Sequence, residues 1–134
     1  IRQIGSKMVS SDFANPGPVD DVQLDLSNLN TGYPVFGVSS GSQIINLNPS
    51  SQPITLNVWT HLAAVLNGTS AYLYLNGTLG VQTTQYSPKN IVRTQNYIGK
   101  SNYANDELAN AKFRNVRIYN RALTLAQIFN DMQN

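Results

Sequence analysis

The stretch from Val58 to Thr84, VWTHLAAVLNGTSAYLYLNGTLGVQTT, holds two Asn-Gly pairs, Asn67-Gly68 and Asn76-Gly77, each set between strand-like apolar runs. Asn-Gly is the preferred centre of a type I′ hairpin turn, because both central residues need positive φ. The spacing predicts a three-strand antiparallel meander over about 58–66, 70–76 and 78–83. In its first strand Trp59, His61, Ala63 and Val65 share one face, with Leu62, Ala64 and Leu66 on the other. In the second, Ala71, Leu73 and Leu75 oppose Tyr72 and Tyr74. Apolar residues on both faces predict a sheet covered, at least in part, on both sides.

The flanking sequence extends the pattern. Residues 10–20 are turn-rich, and Pro16, Gly17 and Pro18 argue against helix or central strand there. From Asp21, DVQLDLS alternates, with Val22, Leu24 and Leu26 on one side and Gln23 and Asp25 on the other, as a half-buried strand does. YPVFGVSSGSQIINLN reads as two short strands around a Ser-Gly turn, and NYIGKS as another short strand followed by a polar loop. AKFRNVRIYN is expected to be the last strand, with Val116 and Ile118 on one side and Phe113, Arg117 and Tyr119 on the other. Then Thr124 and Gln127 form the T-x-x-Q of a capping box, and Leu123 and Ile128 stand in hydrophobic-staple positions. A helix from Leu125 to about Met132 follows. Many short strands with regular turns give an all-β antiparallel sandwich or barrel, here with one short C-terminal helix.

Composition bounds the partners. Nine cations against seven anions, with no basic run, leave little to neutralise several phosphates at once, so no nucleic-acid role is expected. No apolar run approaches the ~18–20 residues of a membrane span. The absence of cysteine excludes thiolate metal sites and Cys nucleophiles. A single histidine makes a zinc site improbable chemistry. Only 12% of residues are charged, and the polar remainder is rich in amides and hydroxyls, as suits an extracellular or particle-surface domain.

The motifs WTHLA (Trp59, His61, Ala63), AYLYLNGT, NYIGKS and NVRIYNRALT, in that order, resemble the laminin-G-like domains of the concanavalin A-like lectin/glucanase superfamily. GSKM near the start is similar to an early strand of that family. The resemblance implies a jelly-roll β-sandwich over residues 1–134, most firmly over 57–130. It implies a non-catalytic carbohydrate-binding or adhesion module of a larger protein that is extracellular, secreted or on a cell or particle surface. The alternative is a structural or protein-interaction module in a filament, coat or multidomain assembly. Two departures stand out. The acidic pair common before VRIYNRAL is replaced by Arg114 and Asn115. The family fold also begins with strands ahead of the GSKM segment, so another chain or segment is expected to complete the sandwich.

Candidate sites follow from residue types. The catalytic inventory is empty: the seven acids (Asp12, Asp20, Asp21, Asp25, Asp106, Glu107 and Asp131) are scattered, and the E-x-D-x-x-E strand of the glucanase branch is absent. His61 and Trp59 take the positions of packed core residues in the family motif. The loop KSNYANDEL offers Asn102, Tyr103, Asn105, Asp106 and Glu107 together, amides and carboxylates for sugar hydroxyl pairs and an aromatic for the ring face; Tyr33 is a weaker partner. The expected ligand is a glycan or glycoprotein. No cofactor is required; calcium at Asp20 and Asp21, or at Asp106 and Glu107, is the alternative to solvated turn acids. Asn67 and Asn76 each open an N-G-T sequon, expected at hairpin tips where a glycan can be attached in a eukaryotic secretory pathway.

Overall fold

A computed structural model describes residues 7–12, 21–27, 31–40, 43–47, 53–101, 106 and 108–134, with the backbone alone at 7–12, 40 and 43–47. Two antiparallel sheets are present. The larger contains β1 (Lys7–Asp12), β2 (Val22–Asp25), β3 (Val35–Ser40), β4 (Gln43–Leu47) and β8 (Gln95–Ile98), in the order β4-β3-β2-β1-β8. The smaller is the meander β5 (Leu62–Asn67), β6 (Ser70–Leu75) and β7 (Thr78–Thr84). Helix α1 spans Leu125–Gln133.

The two sheets face each other through the residues that alternation predicts. In register, Val22 lies opposite Val38 and Leu24 opposite Phe36, while Leu62, Ala64 and Leu66 pair with Leu75, Leu73 and Ala71. These side chains form one core with Val81 and Tyr86, and Val38, Ala71 and Leu73 at its centre are fully buried. Gln85 is buried in the same layer and its amide donates across to the Phe36 carbonyl (3.4 Å). This is the all-β sandwich with a short C-terminal helix that the strand pattern calls for.

The meander is covered on its second face as well. Val65 and Tyr74 pack there with Ile128 of α1, flanked by Ala63, Tyr72, Ala122 and Leu123. The helix is held at its start by the full capping box: Gln127 N–H donates to Thr124 Oγ1 (3.3 Å) and Thr124 N–H to Gln127 Oε1 (3.0 Å). Leu123 and Ile128 meet in the same apolar cluster, as a staple requires. At its far end the helix rests on the second hairpin. A Cβ at Gly77 would come within 3.1 Å of the Phe129 ring and 3.4 Å of Met132.

Four expectations need correction. The second hairpin is type I′, with Asn76 and Gly77 both at positive φ, but in the first only Gly68 is (φ +60°). Asn67 pairs with Ser70, so the central residues are Gly68 and Thr69, and a lone leading glycine fits type II′. Second, 111–120 forms no strand. It has no ladder partner among the described residues, and positive φ at Asn115 breaks its alternation: Phe113 packs on Gly99 while Arg117 and Tyr119 turn to the helix. Third, β1 includes residues 10–12 and is an interior strand of its sheet; Pro16 to Pro18 lie outside the described residues. Finally, the polar row of β2 is the buried one: Asp21 is 1% exposed, and Gln23, Asp25 and Ser27 are buried too, while Val22, Leu24 and Leu26 are half-buried. The main chain at the start of the row is tied to β3. Asp21 N–H donates to Ser39 Oγ (2.6 Å) and Ser39 N–H to the Asp21 carbonyl (2.9 Å).

Candidate functional site

Strand direction decides which loops meet. β2 and β8 both run antiparallel to β1, so their C-terminal ends lie at the same end of the larger sheet. The loop after β2, which carries Tyr33, and the loop after β8, which carries Asp106, therefore share a rim. Only β1 separates the two strands, which places them about 10 Å apart. Asn102, Tyr103, Asn105 and Glu107 lie outside the described residues.

Both loops are anchored at their bases. In the first, Gly32 N–H donates to Ser27 Oγ (2.9 Å) and the Gly32 carbonyl accepts from Ile54 N–H (2.8 Å). Pro34 is fully buried, so Tyr33 is held between two fixed residues and is itself half-buried. In the second, Ala109 N–H donates to the Gly99 carbonyl (2.8 Å) and closes the neck of the loop. Lys100 Nζ sits 4.4 Å from the centre of the Tyr97 ring at the same rim, an aromatic–cation pair beyond the candidates that loop composition suggests. Asp106 is half-buried. Asp21 is at the opposite end of the sheet, one strand length away, so it and Asp106 cannot share an ion. It is also buried rather than a solvated turn acid. Asp20 lies outside the described residues. Among the described residues no three His, Cys, Asp or Glu side chains are grouped as metal ligands.

The smaller sheet carries the remaining candidates. Trp59 is not a core residue: it is 55% exposed and three positions ahead of β5, with the Arg114 guanidinium 4.7 Å over its ring. His61 is half-buried, and its backbone is tied to the second hairpin. It donates N–H to Asn76 Oδ1 (2.9 Å) and accepts from Asn76 N–H (2.9 Å). Its Nδ1 is buried without a hydrogen-bond partner. Burial lowers its pKa, Asp131 opposes that effect, and Arg117 adds to it. The sequons fall on opposite ends of the meander: Asn67 is exposed beside the open Gly68 turn, and Asn76 is committed to His61.

A second concavity lies between the chain entering α1 and the helix itself. Arg117 pairs with the Asp131 carboxylate and also donates to its main-chain carbonyl (3.0 Å). Tyr119 OH donates to the same carboxylate oxygen (2.8 Å), which pushes the phenol pKa up. Tyr119, Arg121, Leu123, Gln127, Asn130 and Asp131 line a shallow cleft of about 260 Å³. The sequence held a signal for it in the i, i+3, i+4 spacing of Gln127, Asn130 and Asp131 on one helix face.

Residues 5–129 match the model of a laminin-G family within the concanavalin A-like lectin/glucanases superfamily. The chain belongs to that superfamily. A comparison with curated protein sequences gives no match. Among solved structures, the chain is similar to residues 221–444 of an S-layer domain-containing protein from Clostridium thermocellum, at 24% identity and a TM-score of 0.52. The match covers 98% of this chain and 65% of that one, and it shows the shared fold. No helix among the described residues is long and apolar enough to cross a membrane.

Proposed function

We infer that this concanavalin A-like domain is a non-catalytic glycan-binding or adhesion module of a larger extracellular or surface protein. One observation carries this: the sheet topology brings the Tyr33 loop and the 99–109 loop to a single rim, with anchored bases and the Tyr97–Lys100 pair at the start of the second loop. Fold alone does not fix function, and it is the rim that supports glycan binding. The described carboxylates give a glycosidase little to use. Asp21 and Asp25 are buried, and Asp131 is engaged by Arg117 and Tyr119 on the other layer. The surface setting agrees with the S-layer protein that shares the fold. A glycan array probed with the wild-type chain and with Tyr33→Ala and Asp106→Asn tests the site. Loss of array signal in folded variants supports the rim, and unchanged binding discards it.

A second function has its own observation. Ile118 is 85% exposed and Val116 36%, on a segment with no ladder partner among the described residues. Such a segment can take a strand from another chain or segment, which favours a structural or interaction module. Sedimentation of the wild type against Ile118→Asp separates the two: self-association lost in the variant supports assembly, and a monomer in both removes self-pairing.

A further inference from the structure

We propose that the cleft between Tyr119 and α1 binds one ring of an acidic sugar, a pyranose bearing a carboxylate. This rests on the glycan-binding function above and adds a contact site on the opposite layer from the rim.

The cleft is built before any ligand arrives. Tyr119 is fixed by its bond to Asp131, and Gln127 Oε1 is held by Thr124 N–H and by Arg121 Nη1 (3.0 Å). Ordering these side chains therefore costs little on binding. Much of their hydrogen-bonding capacity is left over, and Arg121, Gln127 and Asn130 are exposed. Arg121 has five N–H donors and makes one hydrogen bond, and no carboxylate among the described residues pairs with it. The Gln127 amide nitrogen and the Asn130 side chain make no hydrogen bond among the described residues, and Tyr119 is 43% exposed.

Charge selects the ligand class. Arg117 offsets Asp131, so Arg121 is the one unbalanced charge in the wall. A guanidinium with a free edge takes a carboxylate in two parallel bonds. Planar amides suit adjacent hydroxyls, since they offer a donor and an acceptor side by side. The Tyr119 ring supplies an aromatic face for the sugar C–H groups. A volume of about 260 Å³ falls below the roughly 300–1,000 Å³ of sites for larger ligands, and so fits a single ring.

The test is titration of the ¹⁵N-labelled chain with methyl β-D-glucuronide and, as the neutral control, methyl β-D-glucoside, each to tens of millimolar, followed by NMR. The expected result is saturable shifts at the Asn130 and Gln127 side-chain amides and at Arg121 Nε with the glucuronide, weakening as salt rises. Arg121→Gln should remove the preference for the acid. Asn130→Ala, on an exposed helix position, should weaken binding by about tenfold, the loss of one or two hydrogen bonds. Shifts confined to Tyr33, Tyr97–Ser101 and Asp106 would overturn the cleft and leave the rim standing. Equal binding of the two glycosides would overturn the acidic class. No shift anywhere with either sugar would overturn the cleft and count against the rim as well.

Discussion

Ile128 is the point at which α1 joins the sandwich, and replacing it by alanine should unfold more than a helix end. It is 1% exposed and packs against Val65 and Tyr74. Ile→Ala removes three carbons, worth about 2.4 kcal/mol at ~0.8 kcal/mol per buried CH₂. The covering side chains come from a helix and a sheet and collapse only partly, so a cavity term brings the loss to about 3–4 kcal/mol. Leu125→Ala on the same helix is the control: Leu125 is 52% exposed, and its loss should cost under about 1 kcal/mol. Urea unfolding followed by circular dichroism and by fluorescence of Trp59, the only tryptophan, reads both variants. Coincident transitions with the midpoint of Ile128→Ala well below that of Leu125→Ala are expected. If Ile128→Ala costs no more than Leu125→Ala, or shifts only the helical signal, then α1 is not part of the cooperative core.

Gly77 and Gly68 both sit at positive φ, but a Cβ meets Phe129 at Gly77 and nothing at Gly68. Gly77→Ala should therefore destabilise more than Gly68→Ala, which carries only a backbone cost of about 1 kcal/mol; equal losses in thermal melts would refute the helix–turn contact. Burial holds the His61 pKa below its ordinary 6.5, so the folded state binds fewer protons than the unfolded one. Its contribution is complete above pH 6.5 and is lost as pH falls through the folded value. His61→Gln should flatten urea midpoints below that pH, and an unchanged slope would assign the loss elsewhere. In eukaryotic secretory expression, mass mapping should find a glycan at Asn67 and none at Asn76, whose side-chain oxygen is held by the His61 N–H; occupancy of Asn76 would show that the turn opens.

The sequence spelled out the meander because its evidence is local. Leu73 and Tyr74 announce two covered faces by alternation alone, and Thr124, Gln127, Leu123 and Ile128 specify the helix start within six positions. What alternation could not show was burial that depends on distant partners. Asp25 reads as solvent-facing until it is found buried, and Trp59 reads as core until it is found 55% exposed beneath Arg114. Asn115 was similarly silent: Arg-Asn-Val carries no glycine to advertise a left-handed residue, yet φ is positive there, in a segment that forms no strand. The rim at Tyr33 and Asp106 was half visible, since the loop composition was plain but its neighbour depended on strand direction. The Tyr119 cleft needed the fold of the chain back onto its own helix.

The order of the larger sheet has a consequence for how the chain acquires its structure. β5 to β7 pair with immediate neighbours, as do β2 to β4, and such hairpins close quickly. Strand β1 is different: it pairs with β2 on one side, but its other neighbour is β8, with Val9 opposite Ile98 across most of the chain. Loop closure on that scale is slow, and during synthesis β1 leaves the ribosome long before β8 exists. Until then β1 presents an open hydrogen-bonding edge, and the closing of the β1–β8 ladder is the step at which misassembly competes with folding.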